Sequence, residues 1–322
     1  MTSKDCLITI KPYCKQRHAI KMVDMRIVFL GTSAAVPTST RGLSCTVIVR
    51  GGELLIFDAG EGIQQNFIRS RLGINKKIKI FITHMHADHC LGALGLLQTL
   101  SLLGREAPVD IYGPPDFAEF VRANVKILAF GLIYEVRITS IKAEGVVVQE
   151  KDYFINCCKA RHIIPAYAFC LNEYERPGKL DIKKIEKFGI PEGHLYKKLQ
   201  SGEDVTYKGR RVLSVRVTGP RRPGRKVGIS GDTRPTARLR NFFRDCDLLV
   251  FDSTYSHDEF QKAKERFHST ASEAAILANG AGVKKLLLTH FSARYKDTNQ
   301  LVREAGTIHN NVEAAEDLKV ID

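Results

Sequence analysis

The chain has 322 residues, with 49 Lys and Arg against 35 Asp and Glu, for a formal net charge of +14. A hydrophobic fraction of 44% excludes a disordered chain, and no apolar run reaches membrane-spanning length, which excludes an embedded channel or transporter. The basic excess favours a polyanionic partner bound through phosphate contacts and counterion release, although a generally basic proteome gives the same sum.

In chain order, residues 1–24 form an N-terminal extension of uncertain role. Its Cys6, Cys14 and His18 are poorly spaced for a zinc knuckle, and it lacks the apolar core and cleavage site of a signal peptide. Met22 and Met25 are alternative initiators. The eight cysteines show no paired spacing, which fits a reducing interior and a cytoplasmic location. The run Phe29-Leu30-Gly31-Thr32-Ser33-Ala34-Ala35-Val36-Pro37 leads to Arg41-Gly42, and Phe57-Asp58-Ala59-Gly60-Glu61-Gly62 is a second glycine-rich turn. Lys79 to Thr83 is β-branched and aromatic and predicts a buried strand. Directly after it comes His84-Met85-His86-Ala87-Asp88-His89, and Leu91 to Leu97 then predicts a helix with an apolar face. Three imidazoles and a carboxylate on a turn at the carboxyl end of a strand suit zinc and its neighbours, in the place where α/β sheets put their chemistry.

This H-x-H-x-D-H string resembles the signature of the metallo-β-lactamase superfamily of di-metal hydrolases. The resemblance implies an α/β fold, a four-layer αβ/βα sandwich of two mixed sheets with the metals at one edge. It also requires two further histidines and an aspartate, each just past a strand. His162 follows Tyr153 to Cys158, Asp232 follows Lys226 to Ser230, and His290 follows Lys285 to Thr289. Cys157 and Cys158 fall on opposite faces of their strand. Asp252 ends the strand Leu248 to Phe251 and is a candidate either to orient a ligand or to cap a turn.

The ordered combination is similar, more narrowly, to the short-form tRNase Z family. The segments that carry this likeness are the Phe29–Gly42 and Phe57–Gly62 stretches, Gly219-Pro220-Arg221-Arg222-Pro223-Gly224-Arg225-Lys226 running into Gly231-Asp232-Thr233-Arg234-Pro235, His268-Ser269-Thr270-Ala271, and Leu288-Thr289-His290-Phe291-Ser292-Ala293-Arg294-Tyr295. The likeness extends over residues 25–322 as one catalytic domain and implies a zinc-dependent endoribonuclease acting on precursor tRNA. Such an enzyme removes the 3′ trailer by metal-activated water attack, leaving a 3′-hydroxyl on the tRNA and a 5′-phosphate on the trailer. Two Zn2+ per subunit are implied, with manganese or iron accepted by the same ligands. His84, His86, His162 and Asp232 would hold one ion, and Asp88, His89, His290 and Asp232 the other. Asp88 is marked as proton acceptor and His268 is the candidate general acid, on a loop before a helix from Ala271 to Asn279 capped by Ser269 or Thr270.

Residues 173–211 resemble the family's flexible arm, an inserted helical exosite that clamps the tRNA elbow. Asp181 caps a short helix from Ile182 to Phe188, Gly189-Ile190-Pro191 ends it, and Glu192 to Leu199 is a second helical piece. Lys183, Lys184, Lys187, Lys197 and Lys198 are the candidate tRNA contacts there, joined by Arg221, Arg222, Arg225 and Lys226 in the basic loop before Asp232. The family commonly carries Gly-Pro at the arm tip, whereas here Gly193 is followed by His194. A homodimer is implied, in which one subunit's arm serves the other's active site. Two other classes compete: a small-substrate hydrolase, which has little need of the arm, and a non-catalytic RNA-binding module, which predicts missing ligands. Nucleases of mRNA ends carry an extra domain between the equivalents of Asp232 and His290, and this interval is too short for one.

Overall fold

The computed structural model describes residues 24–129, 131–176 and 178–322, so Cys6, Cys14 and His18 lie outside the described residues. The chain forms two compact units: residues 24–174 with 225–322, and an insertion over Glu175–Gly224.

The larger unit contains two seven-stranded mixed sheets. The first runs in the order Val320–Ile321, Met25–Gly31, Cys45–Arg50, Glu53–Phe57, Lys77–Phe81, Val109–Gly113 and Val136–Ser140. The second runs Val312–Ala314, Leu286–Thr289, Leu248–Asp252, Lys226–Ile229, Tyr167–Glu173, Tyr153–Lys159 and Gly145–Gln149. Each sheet holds a block of four parallel strands, Glu53–Phe57 to Val136–Ser140 in one and Lys226–Ile229 to Val312–Ala314 in the other.

The run Leu248–Phe251 is apolar throughout and its strand Leu248–Asp252 is buried on both faces, as a parallel strand covered by helices must be. Three apolar layers separate four layers of secondary structure. Phe57, Phe81 and Phe169 join the two sheets, with the Phe57 and Phe81 rings stacked at 4.9 Å. Leu96, Leu100, Phe117 and Val121 seat the helices Gly92–Leu102 and Pro115–Ile127 on the first sheet. Leu239, Ala274, Ala278 and Leu301 seat Ala237–Phe242, Ala271–Gly280 and Asn299–Gly306 on the second. Cys157 packs in the central layer and Cys158 in the outer one, on opposite faces of their strand.

The end of the sandwich opposite the metal-ligand turns holds a buried charge network. Arg50 Nε meets Glu173 Oε1 at 3.1 Å, Arg225 Nε meets Glu173 Oε2 at 2.8 Å, and Lys79 Nζ meets Glu53 Oε1 at 3.0 Å. Glu173 and Arg225 are where the chain leaves for the insertion and returns from it.

The insertion is described by itself. Its helices are Ile182–Glu186, His194–Ser201 and the single turn Ser214–Val217, and the Asp181 side chain accepts from the Lys184 amide as the first helix's cap. Ile185, Ile190, Leu199, Val205, Val212 and Val217 form its own small core. Lys183, Lys184, Lys187, Lys197 and Lys198 are all exposed.

Candidate metal centre

The parallel strands deliver the chemistry. Lys77–Phe81 ends just before Thr83 and His84, Lys226–Ile229 just before Asp232, and Leu286–Thr289 just before His290, all at carboxyl ends. Two tight approaches seat the first turn. A Cβ on Gly92 would lie 1.8 Å from the Gly60 carbonyl oxygen, and one on Gly60 would lie 2.6 Å from that of Asp88. Gly231, at φ 58, packs against Thr83, where a Cβ would lie 2.9 Å from Thr83 Cγ2.

Six of the predicted ligands converge on the seventh, Asp232. His84 Nε2 and His162 Nε2 lie 3.0 and 3.1 Å from His86 Nδ1, and His89 Nε2 lies 3.2 Å from His290 Nε2. Asp232 Oδ2 is 3.2 Å from His89 Nε2, 3.6 Å from His84 Nε2 and 4.0 Å from His162 Nε2, while Oδ1 is 3.3 Å from His290 Nε2. Asp88 Oδ2 completes the second group, 3.4 Å from His290 Nε2, and accepts the Ala35 amide at 2.7 Å.

The outer ring nitrogens explain why the inner ones are lone pairs. His84 Nδ1 meets Thr83 Oγ1 at 2.9 Å, and that hydroxyl spends its own proton on Asp58 Oδ2. The His84 proton is therefore on Nδ1. His89 Nδ1 donates directly to Asp58 Oδ2 at 2.7 Å, and His162 Nδ1 to the Phe267 carbonyl at 3.1 Å. His290 Nδ1 meets Thr254 Oγ1 at 2.9 Å, and that hydroxyl donates to Asp252 Oδ1 at 2.7 Å. Four histidines thus aim their Nε2 atoms inward, where a bound cation would take the lone pair. A tetrahedral ion bound at about 2.0–2.1 Å would space such atoms by about 3.3 Å, close to the separations observed.

Electrostatics agree with a cation-binding cage. Burial holds His84, His86 and His162 below the usual histidine range, which favours the neutral form that a metal ligand requires. Burial also works against a charged His89, but Asp232 and Asp58 outweigh it and raise that ring well above its ordinary value. In Asp88 and Asp232 the neighbouring imidazoles overcome burial and push the carboxyls down. Ionised carboxylates and converging nitrogen lone pairs call for positive charge. Imidazole and carboxylate fit zinc, manganese and iron alike.

His268 lies beside this cage with Nδ1 3.0 Å from Asp252 Oδ2 and 3.9 Å from Asp232 Oδ2. Burial alone would lower it, but Asp252 and Asp232 raise it to about 9. Asp252 is one of four side chains, with Asp232, His268 and His290, whose donor atoms lie within 4.8 Å of one another. Its oxygens, however, are taken by the Thr233 amide, the Thr254 amide and hydroxyl, and His268. That occupancy makes it an orienting group. Thr270 is the helix cap, in a reciprocal capping box with Glu273, and the helix runs Ala271–Gly280.

Sequence reasoning missed Asp58, Thr83, Thr254, Ala35 and Arg234. The signal for the first two was a polar residue at the end of an apolar strand, one of them directly before His84. Ala35 carried no signal, because its part is played by a backbone amide. Asp58 and His290 both take left-handed conformations, at φ 61 each, the kind of strain that collects where geometry is imposed by a site.

The basic loop divides. Arg225 is held by Glu173, and Lys226 Nζ donates to the Arg244 carbonyl at 2.6 Å. Arg221 and Arg222 belong to the insertion, where Arg221 Nη1 lies 3.6 Å from Glu175 Oε2. Among the described residues no helix is long and apolar enough to cross a membrane.

Comparison with known proteins follows the same lines. Residues 40–154 match the metallo-beta-lactamase superfamily model, and residues 192–291 match a beta-lactamase superfamily domain. The ribonuclease Z of Nitrosopumilus maritimus is 50% identical over 298 residues, covering 92% of this chain and 99% of that protein. That of Methanosarcina mazei is 41% identical over 300 residues, covering 92% and 98%. The crystal structure of human tRNase Z, short form, superposes with a TM-score of 0.68 at 28% identity, covering 92% of this chain and 99% of that one. The metallo-beta-lactamase fold protein YhfI of Bacillus subtilis shares the fold at a TM-score of 0.63 and 18% identity, covering 92% and 98%.

Proposed function

The chain belongs to the ribonuclease Z family of the metallo-β-lactamase superfamily, and from that membership we propose how its residues perform the reaction. It is a metal-dependent endoribonuclease that processes the 3′ end of precursor tRNA. Two zinc ions per subunit are proposed, with manganese or iron as substitutes. His84, His86 and His162 would hold one and Asp88, His89 and His290 the other, with Asp232 available to both. The observation that supports this assignment is the central place of the Asp232 carboxylate, within 4.0 Å of His84 and His162 of the first group and of His89 and His290 of the second. Bound there, such ions supply Lewis acidity and a nucleophile available at neutral pH.

The remaining steps fall to side chains. Asp88, with one oxygen oriented by the Ala35 amide, accepts the proton of the attacking water. As the new oxygen bonds to phosphorus, the phosphorus–O3′ bond breaks and its electron pair leaves with the 3′-oxygen of the tRNA. His268, whose Nδ1 is committed to Asp252, protonates that oxygen from Nε2. The tRNA keeps a 3′-hydroxyl and the trailer a 5′-phosphate.

The exposed lysines of the insertion, with Arg221 and Arg222, are proposed to follow the phosphate backbone of the substrate, which suits recognition of folded RNA by shape. A homodimer is supported by exposed Leu102, Leu103, Ile127, Leu128 and Ile133 at and near the ends of two helices, since clustered exposed apolar side chains commonly mark protein contacts. A cytoplasmic location is supported by the free thiols of the described cysteines.

Cleavage of an end-labelled precursor tRNA tests the whole proposal, comparing wild type with Asp88→Ala in the presence of zinc, of manganese, and after chelation. The expected result is one cut at the 3′ end of the tRNA body that needs metal and is lost in the variant. Folded, metal-loaded protein that leaves the trailer in place would overturn it.

A further inference from the structure

The turn that supplies Asp232 also carries Arg234, which reaches the loop presenting His268. Arg234 Nη1 donates to the His268 carbonyl at 2.6 Å and to Glu273 Oε2 at 2.8 Å, and Nη2 donates to Glu273 Oε1. The guanidinium lies over the Phe260 ring, 5.5 Å from its centre, and the side chain is 11% exposed. In the preceding peptide, the Phe267 carbonyl accepts His162 Nδ1 at 3.1 Å. Phe267 itself sits in the left-handed region at φ 58, which a phenylalanine does not choose unaided. Two successive carbonyls, one gripped by a metal-ligand candidate and one by Arg234, therefore impose the backbone from which His268 projects. Its ring has one anchor at Nδ1, Asp252 Oδ2 at 3.0 Å.

We propose that Arg234 is a positioning residue for leaving-group protonation: by fixing the His268 peptide, it keeps the ring's other nitrogen, Nε2, aimed at the departing 3′-oxygen. The inference rests on the reading of His268 as proton donor. A purely structural role, capping the Ala271–Gly280 helix, does not account for the contacts. Thr270 and Glu273 already complete that cap between themselves. What the arginine adds is the bond to His268. A planar fork can bridge a carbonyl and both oxygens of one carboxylate, which a lysine ammonium cannot do in the same geometry.

The test compares two substrates of the metal-loaded enzyme: a precursor tRNA, whose 3′-oxygen must be protonated as it leaves, and bis(p-nitrophenyl) phosphate, whose nitrophenolate leaves without a proton. Arg234→Gln should lower kcat on the precursor by about 10–100-fold, a fraction of what general acid catalysis supplies. KM and metal content should stay near wild type, and nitrophenyl ester hydrolysis should fall by less than about threefold. Arg234→Lys should recover little, and Glu273→Gln should show the same pattern more weakly. These two carry the test if Arg234→Gln does not fold. Parallel loss on both substrates, loss of metal, or unchanged precursor cleavage would overturn the inference. His268→Ala, run alongside, separates the two levels. If it shows no difference between substrates, the proton-donor reading fails. If it shows the difference and the Arg234 variants do not, only the positioning inference fails.

Discussion

Asp58 and Asp252 fix the two halves of the metal centre through the same relay. Each follows or ends a parallel strand of its own sheet, each accepts a threonine hydroxyl, and each threonine accepts a histidine Nδ1–H, in the sequences Asp58–Thr83–His84 and Asp252–Thr254–His290. The aspartates then diverge. Asp58, which also accepts the Thr83 amide, takes the ligand candidate His89, whereas Asp252 takes His268. One aspartate thus serves two ligand candidates, and the other ties a ligand candidate to the proposed proton donor.

Thr83→Val and Thr254→Val should each weaken metal binding, because valine keeps the shape of threonine but leaves the histidine Nδ1 proton without its acceptor. Loss of such an outer partner typically costs about 10–100-fold in metal affinity. Titration against a chromophoric zinc chelator measures this directly. Affinities equal to wild type in both variants would mean that packing alone orients the rings.

The fold and the turns that carry the ligand candidates were legible because each is written locally. An apolar strand followed by a polar turn announces a carboxyl-end site, and Lys79–Thr83 before His84 states it within a dozen residues. Asp181 was legible as a cap for the same reason, and Thr270 as one of two candidates with Ser269. What stayed hidden depends on long-range pairing. Nothing near Ala35 in the sequence shows that its amide meets Asp88, 53 positions away. Arg225 read as a free basic residue near Asp232, but it pairs with Glu173, 52 positions earlier.

Glu173→Gln should destabilise the larger unit by about 3–5 kcal/mol, the usual cost of removing one partner from a buried ion pair. The carboxylate is 3% exposed and receives both Arg50 and Arg225, so the glutamine would leave two guanidinium groups short of their acceptor. Burial works against the Glu173 carboxylate, but Arg225 and then Arg50 outweigh it and lower its pKa. A lowered folded-state pKa gives stability that is present above the unfolded glutamate value, about 4.3, and lost as pH falls through the folded value. Urea denaturation at pH 7 and at pH 4 should show the wild-type margin over the variant beginning to narrow at the lower pH. A margin independent of pH would mean that the network contributes through packing.

Chelation should lower thermal stability reversibly. Without cations, Asp88 and Asp232 face each other across a cage of inward-pointing lone pairs, and binding to the folded state alone stabilises by about 2.7 kcal/mol at a hundred times Kd. For a unit of this size that is a shift of roughly 5–10 °C, seen by calorimetry after chelation and after zinc is restored. An unchanged midpoint would argue that the cage is organised by its outer hydrogen bonds alone.

Replacing Glu175–Gly224 by a short Gly-Ser linker should separate substrate selection from chemistry. The three core clusters of the larger unit contain no residue of the insertion, and the insertion's core contains none of theirs. Deletion therefore opens no cavity in the larger unit, and the chain ends it joins are already held together by Glu173 and Arg225. The shortened protein should hydrolyse bis(p-nitrophenyl) phosphate at close to the full rate while KM for precursor tRNA rises by at least about tenfold, as expected when several phosphate contacts are removed. The lysines Lys183, Lys184, Lys187, Lys197 and Lys198 changed together to Gln should reproduce much of that rise without the deletion. If the insertion serves the partner subunit's site, mixing the shortened chain with His86→Ala should restore cleavage in heterodimers, since one chain brings an intact metal centre and the other an intact insertion. Heterodimers that form and stay inactive would confine the insertion's action to its own subunit.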